Sequence, residues 1–359
     1  MRSELETLAG RVILAGFDGT ALPDVLRRDI KVGAAGGLVL FRRNVESVAQ
    51  VHELLCEART TAPKGRAPIT ALDQEGGRVI RIREPLAVLP PMRQFGQRDC
   101  PRATEQAGTL VGKELRALGF TTNFAPVLDI DTHPASPVIG DRAFSGEVSG
   151  VITHGLAFAR GLKMGGVHPV AKHFPGHGDA AVDSHVSLPV VAHDAHRLHN
   201  VELAPFAAWA QCNGGALMTA HVRYPALDAH HPATTSHAIL TQLLRQQLGF
   251  SGTLFSDDLE MGAMASLGGA AQLAVRILEA GVDGLLICRD LALRERVIEQ
   301  LARAAADDKR FLARLEEAAA HLAPMSIPPG EDVDFSFIGS DAHRHMKAAL
   351  MGERDTGEG

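Results

Sequence analysis

The chain has 359 residues, 45% hydrophobic, 22% charged and 4% aromatic, with a net charge of −6. A pI near 6.3 leaves no basic face for nucleic acid or anionic lipid, and so few rings provide little stacking surface for bases or long sugar chains. No apolar run is long enough to span a bilayer, and residues 1–10 lack the basic-then-apolar pattern of a secretion signal, so the expected location is the cytoplasm.

Short apolar runs recur at residues 12–15, 37–41, 69–72, 122–126, 166–171, 216–219, 253–255 and 284–288. Amphipathic stretches separate most of them, at 48–59, 103–118, 151–164, 201–212 and 270–280. Apolar strands that do not alternate, interleaved with helices, predict a parallel sheet covered on both faces. Eight such strands fit a single (β/α)8 TIM-type barrel, whose functional groups sit at the C-terminal ends of the strands. A doubly wound open sheet is the competitor, weakened because no G-x-G-x-x-G follows the first strand. The barrel is expected over residues 1–323. From 324 the chain turns Pro-rich and then charged, so residues 324–359 read as a C-terminal extension with a frayed tail. The four scattered cysteines, Cys56, Cys100, Cys212 and Cys288, form no C-x-x-C pair and read as reduced thiols.

The densest chemistry lies in KHFPGHGDAAVDSHVSL, residues 172–188. It sets Lys172, His173, His177, Asp179, Asp183 and His185 on a stretch that Pro175, Gly176 and Gly178 keep out of regular helix. Few apolar anchors fall between residues 175 and 186, so this loop is expected to be mobile. Other polar residues also follow predicted strands: Asp73 after the third, Asp129 and Asp131 after the fourth, His221 after the sixth, and Ser256, Asp257 and Asp258 after the seventh. Arg142 lies in the long fourth loop. One such acid alone reads as a helix cap, but five strand ends pointing at one mouth read as a site. A metal site on His173, His177, Asp179 and His185 would need the helical spacing of four that Pro175 and Gly176 interrupt; no metal and no cofactor are expected. The patch His193, His196 and His199 reads as a solvated helix face, and His168 and His221 carry no assigned role.

The segments GLVLFRRN (37–44), DQEGGR (73–78), KHFPGHG (172–178), DSH (183–185) and SDDLEM (256–261) resemble glycoside hydrolase family 3, and specifically its bacterial β-N-acetylglucosaminidases. The resemblance spans residues from about 10 to 290 in the family's order and implies a TIM-type barrel without the second α/β domain of many members. It also implies a retaining double displacement with Asp257 as nucleophile, Asp258 being its rival. Acid/base duty falls to His185, oriented by Asp183; imidazole titrates near neutrality without strong burial, which suits both proton steps. Asp73, Arg142, Lys172 and His173 match positions that bind the terminal sugar, and His177 is expected to brace the Gly-rich loop. The implied partner is a small carbohydrate, an N-acetylglucosamine-containing muropeptide of peptidoglycan recycling, acted on by a monomer. Competing readings are a family 3 enzyme for another sugar, one using phosphate as acceptor, and a catalytically silent sugar-binding barrel.

Overall fold

The computed structural model describes residues 2–133, 138–180, 188–265, 267–326 and 333–351. Eight parallel strands of these residues close into a barrel, in the order β1, β10, β9, β8, β7, β6, β3, β2. They are β1 (Ile13–Ala15), β2 (Gly37–Leu40), β3 (Ile69–Leu72), β6 (Thr122–Asn123), β7 (His168–Phe174), β8 (Ala216–Thr219), β9 (Leu254–Asp258) and β10 (Gly284–Ile287). Between β3 and β6, a small antiparallel hairpin pairs β4 (Gln74–Gly76) with β5 (Val79–Ile80). The chain therefore forms the expected (β/α)8 barrel, and all eight expected strands are present.

Helices wrap the outside, and their ends follow local chemistry. Ser47 accepts a hydrogen bond from the Gln50 amide at the start of Val48–Thr61, while Asp290 and Asp308 cap Leu291–Asp307 and Lys309–Leu322 in the same way. The helix expected at 201–212 forms as Ala204–Gln211, with a separate short helix, Ala195–Asn200, before it. Pro205 explains the second start, because proline in a first turn gives up an N–H that has no helical partner anyway.

Two strands run further than their apolar cores. β7 continues through Lys172 and His173 to Phe174, and β9 continues through Ser256 and Asp257 to Asp258. Both extensions coincide with a register shift. Ala171 and Phe174 of β7 pair with Leu217 and Thr219 of β8, and Phe255 and Asp258 of β9 pair with Gly284 and Leu286 of β10. In each case three steps along one strand match two along its neighbour, so a residue is inserted as in a β-bulge.

Beyond the barrel, the described part of the C-terminal extension lies along its flank. Phe335 stacks on His52 with ring centroids 4.6 Å apart. The helix Asp341–Met351 follows. There the Gly339 amide donates to His343 Nδ1 at 3.0 Å, which puts the proton on Nε2, donated in turn to buried Glu114 at 2.7 Å.

At the N-terminal mouth of the barrel, Asp283 is fully buried just before β10. Burial alone would raise its carboxyl, yet the hydrogen bond of His321 and the charges of Arg245 and Arg314 hold it below the ordinary carboxylate value. Arg245 and Arg314 each donate at 2.8 Å, and the Leu254 amide donates at 2.9 Å. This end of a barrel serves stability, while the chemistry lies at the other. Removing one member of a buried charge network costs about 3–5 kcal/mol, because the others stay desolvated and unpaired. Asp283→Ala is therefore expected to lower the unfolding free energy from denaturant titration by that amount while leaving the kcat of the folded fraction near wild type; a stability loss under about 1 kcal/mol would show that the network is neutral.

Candidate active site

The motif around Asp73 is organised by strand alternation. Residues two apart on a strand share a face, so Asp73 and Glu75 point one way and Gln74 the other. The Gln74 side chain donates to the Ile82 carbonyl at 2.6 Å and accepts from the Arg81 and Ile82 amides. Its backbone exchanges hydrogen bonds of 3.0 Å with the Asn123 side chain, tying the hairpin to β6. Gly77 makes the turn at φ +56, and a Cβ there would meet the Pro91 Cα at 2.9 Å.

Asp73 and Glu75 are held against Lys172. The ammonium lies 2.6 Å from Asp73 Oδ1 and 2.6 Å from Glu75 Oε1. Arg142 grips Glu75 with two parallel bonds of 2.8 Å, and Arg81 donates to Asp73 Oδ2 at 2.8 Å. Burial alone would raise both carboxyls; the cations outweigh it, holding Glu75 at about 2 and Asp73 well below the carboxylate range. Lys172 is raised despite complete burial, because both carboxylates face it. Two of its three N–H groups are taken and one remains for a ligand oxygen.

A second charged unit adjoins the first. His173 Nδ1 lies 2.7 Å from Asp129 Oδ2, and the amides of His173 and His177 also donate to this carboxylate. Fixing Nδ1 leaves Nε2 of His173 for the cavity. The His177 ring meets His173 edge-on at 5.7 Å, and burial, with the charge of His173, lowers it to about 4, so it is neutral at ordinary pH.

The third unit lies on β9. Asp257 Oδ1 accepts from the Asp258 amide at 2.8 Å. Asp258 Oδ1 accepts from the amides of Glu260, at 3.1 Å, and Cys288, at 3.2 Å, the second tying the end of β9 to the end of β10. His221 is fully buried behind them, with Nε2 3.0 Å from the Asp258 carbonyl and Nδ1 2.8 Å from Thr234 Oγ1. Burial lowers its pKa, consistent with a neutral ring whose Nε2–H donates to the carbonyl.

These units face one cavity of about 200 Å³ at the C-terminal mouth, lined by Asp73, Glu75, Arg81, Arg142, Lys172, His173, His177, Asp257 and Asp258, with Phe41, Phe124 and Met218 as apolar walls. The structure thus brings together five of the seven candidate residues: Asp73, Arg142, Lys172, His173 and Asp257. The other two, Asp183 and His185, lie outside the described residues. Glu75 is the partner that motif reading passes over, although its place two residues after Asp73, in the run that leads from β3 into β4, signals it. His177 lines the cavity, and its amide braces the loop through Asp129. Among the described residues, no group of three His, Cys, Asp or Glu side chains is arranged to hold a metal ion.

Two other expectations bear on described residues. Of the loop expected to be mobile, residues 175–178 and Ala180 are buried. Tyr224 donates to the Gly176 carbonyl at 2.6 Å, and a Cβ on Gly178 would fall 1.7 Å from the Ile130 carbonyl oxygen. The remainder of that loop, up to Ser187, lies outside the described residues. His196 and His199 are exposed on their helix as expected. His193, in contrast, precedes the helix and is paired with Asp179.

The family described as the glycosyl hydrolase family 3 N terminal domain matches residues 8–325. The chain belongs to this family. It is a glycoside hydrolase by descent. A Methylobacillus flagellatus protein named beta-hexosaminidase is 39% identical over 333 residues, covering 90% of this chain and 93% of the relative. A Pseudomonas aeruginosa beta-hexosaminidase is 40% identical over 294 residues, covering 81% and 86%. Among solved structures, a family 3 beta-N-acetylglucosaminidase from Paenibacillus superposes with a TM-score of 0.88 at 32% identity, over 98% of this chain and 69% of that one. NagZ from Neisseria gonorrhoeae, in complex with N-trifluoroacetyl-D-glucosamine, gives 0.81 at 31% identity, over 95% and 97%.

In this family 3 chain the adjacent carboxylates are set apart by their surroundings. Burial, then the charges of Glu260 and Asp257, push Asp258 up to about 6. A carboxyl raised on folding costs stability once the pH exceeds its unfolded value, here 3.8, and the full cost is reached above its folded value of about 6. Asparagine keeps Oδ1 as acceptor for both amides. Asp258→Asn is therefore expected to stabilise the fold by up to about 3 kcal/mol at pH 7.5 and by less than about 1 kcal/mol at pH 4. Denaturant titrations at the two pH values check this, and an equal gain at both would remove burial of charge as the cause.

Proposed function

We propose that the chain is a retaining β-N-acetylglucosaminidase that releases terminal β-linked N-acetylglucosamine from small saccharides. The observation that carries this reading is Asp257 opening onto the same cavity as the Asp73–Lys172–Arg142–His173 array, with Asp258 tied back into the barrel wall. The relatives named beta-hexosaminidase and the glucosamine derivative held by the Neisseria gonorrhoeae protein support the sugar class.

In the proposed reaction the Asp257 carboxylate attacks the anomeric carbon while His185 gives its proton to the departing glycosidic oxygen. The neutral imidazole then takes a proton from water, whose oxygen attacks the anomeric carbon and frees Asp257. Asp183 orients the imidazole and stabilises its charged form. Asp73 accepts from sugar hydroxyls, while Lys172, Arg142 and His173 donate to sugar oxygens from fixed positions. The barrel of residues 1–323 carries the whole site, with 324–359 as its extension. The natural substrate is a muropeptide in which N-acetylglucosamine is β-1,4-linked to 1,6-anhydro-N-acetylmuramic acid, cleaved during peptidoglycan recycling by a cytoplasmic monomer. Among the described residues no helix is long and apolar enough to cross a membrane.

Nitrophenyl glycosides differing only in the sugar test the specificity; equal rates on glucoside and N-acetylglucosaminide would overturn it. Trapping by a fluorinated sugar should be abolished in Asp257→Ala and retained in Asp258→Ala, and the reverse pattern would exchange the two roles. His185→Ala should slow cleavage of a natural disaccharide by about 10² to 10⁴, and an activated aryl glycoside far less, because a nitrophenolate leaves without a proton. Equal slowing of both substrates would make His185 structural.

A further inference from the structure

His221 lies outside the cavity lining, yet it is fully buried against the strand end that carries Asp257 and Asp258. Among the described residues, pairs of β8 with β9 run only as far as Met218 and Phe255, so this end of β9 extends past the ladder on that side. On the other side the amides of Leu286 and Cys288 tie it to β10, reaching Ser256 Oγ and Asp258 Oδ1. The ring of His221, just after β8, bridges the unpaired side. Its Nε2 lies 3.0 Å from the Asp258 carbonyl, an oxygen that also accepts from the Met261 amide at 3.2 Å. A carbonyl can only accept, so Nε2 carries the proton. Nδ1 lies 2.8 Å from Thr234 Oγ1, and Thr234 is held in turn by the Ala220 carbonyl and by Thr219, the last residue of β8.

We propose that His221 is a positioning residue for the nucleophile, a role that rests on the reading of Asp257 given above. The backbone of Asp258 is the intermediary. Its amide holds Asp257 Oδ1 at 2.8 Å, and its carbonyl is held by the ring. Freeing the carbonyl lets that backbone turn, and the carboxylate turns with it. Asp257 also supplies the largest charge acting on the ring, which agrees with the two lying close together. Packing alone would be served by an apolar side chain, since burying a polar ring costs free energy unless its nitrogens are matched. Nucleophilic attack, by contrast, is slowed steeply when the attacking group is displaced by about an ångström. His221 therefore acts through Asp257 and touches neither the sugar nor the reacting atoms.

The test compares His221→Gln with His221→Asn in the full chain. A glutamine amide nitrogen falls near Nε2 and keeps a donor for the Asp258 carbonyl, whereas an asparagine amide falls near Nδ1 and keeps only the Thr234 side. In His221→Asn the maximal rate at which a fluorinated sugar traps Asp257 should fall about 10- to 100-fold, with the concentration for half-maximal trapping unchanged. His221→Gln should trap near the wild-type rate. The final extent of trapping, which counts folded sites, should stay complete in both. For His221→Asn, kcat/KM should fall by the same factor on a disaccharide and on a nitrophenyl glycoside, because both must be attacked, whereas a misplaced acid would spare the second. Equal losses in the two variants, a loss confined to the disaccharide, or a reduced extent of trapping in place of a reduced rate would overturn the positioning role. Trapping that maps to Asp258 would overturn the nucleophile reading and this role with it. Trapping on Asp257 at an unaltered rate in His221→Asn would overturn the role alone.

Discussion

Lys172 carries a full charge at a position only 2% exposed, and the architecture of the mouth follows from the need to neutralise it there. Removing an ammonium from water costs several kcal/mol even after relaxation. Two carboxylates at 2.6 Å offset that cost, but each brings a desolvation cost of its own. Arg142 answers for Glu75 and Arg81 for Asp73. The chain of compensation thus joins β7, the β4–β5 hairpin and the loop after β6 into one unit, and no member can be removed without stranding another. An incoming ligand meets donors and acceptors already oriented, so little reorganisation is needed when it binds.

That unit is possible because the barrel breaks its own rule of alternation twice. Side chains of neighbouring residues on a regular strand point to opposite faces. Lys172 and His173 are neighbours, as are Asp257 and Asp258, yet all four line one cavity. Each pair sits within a register shift, β7 against β8 and β9 against β10. Inserted residues re-aim side chains and are common beside active sites. Here they double the number of charged groups that two strand ends can deliver. Asp258 then helps hold the second shift in place, since it accepts the Cys288 amide across the strand pair.

The positions of the eight strands were legible because runs that stay apolar on both faces occur where a parallel sheet is covered on both sides. Their ends were not, and the reason is instructive. Apolarity marks burial only where burial is achieved by apolar contact, whereas Lys172, His173 and Ser256 are buried by ion pairs and hydrogen bonds. The β4–β5 hairpin was hidden for the same reason. DQEGGR looks like a polar loop, and what makes it sheet is the Gln74 side chain bonding across to residues 81 and 82. Within the site, Asp73, Arg142, Lys172, His173 and Asp257 were identifiable from motif resemblance. Glu75 escaped because its segment reads as a polar loop, so the spacing of two that sets it beside Asp73 is not read as alternation, and its partners come from β7 and the loop after β6.

The composition of the cavity also bears on what it can hold. Polar recognition dominates: among the described residues only Phe41 and Phe124 contribute phenyl or indole rings to the lining, and Phe41 is itself covered by the guanidinium of Arg43 at 4.5 Å and that of Arg81 at 5.3 Å. A surface of this kind cannot grip an extended saccharide by stacking along its length. It can grip one ring through its hydroxyls, because fixed carboxylates and cations satisfy them in directions that the ion-pair network has already set. A space of about 200 Å³ with such walls favours recognition of a terminal unit over that of a chain, so the length of whatever is attached beyond that unit is left to residues outside the charged array.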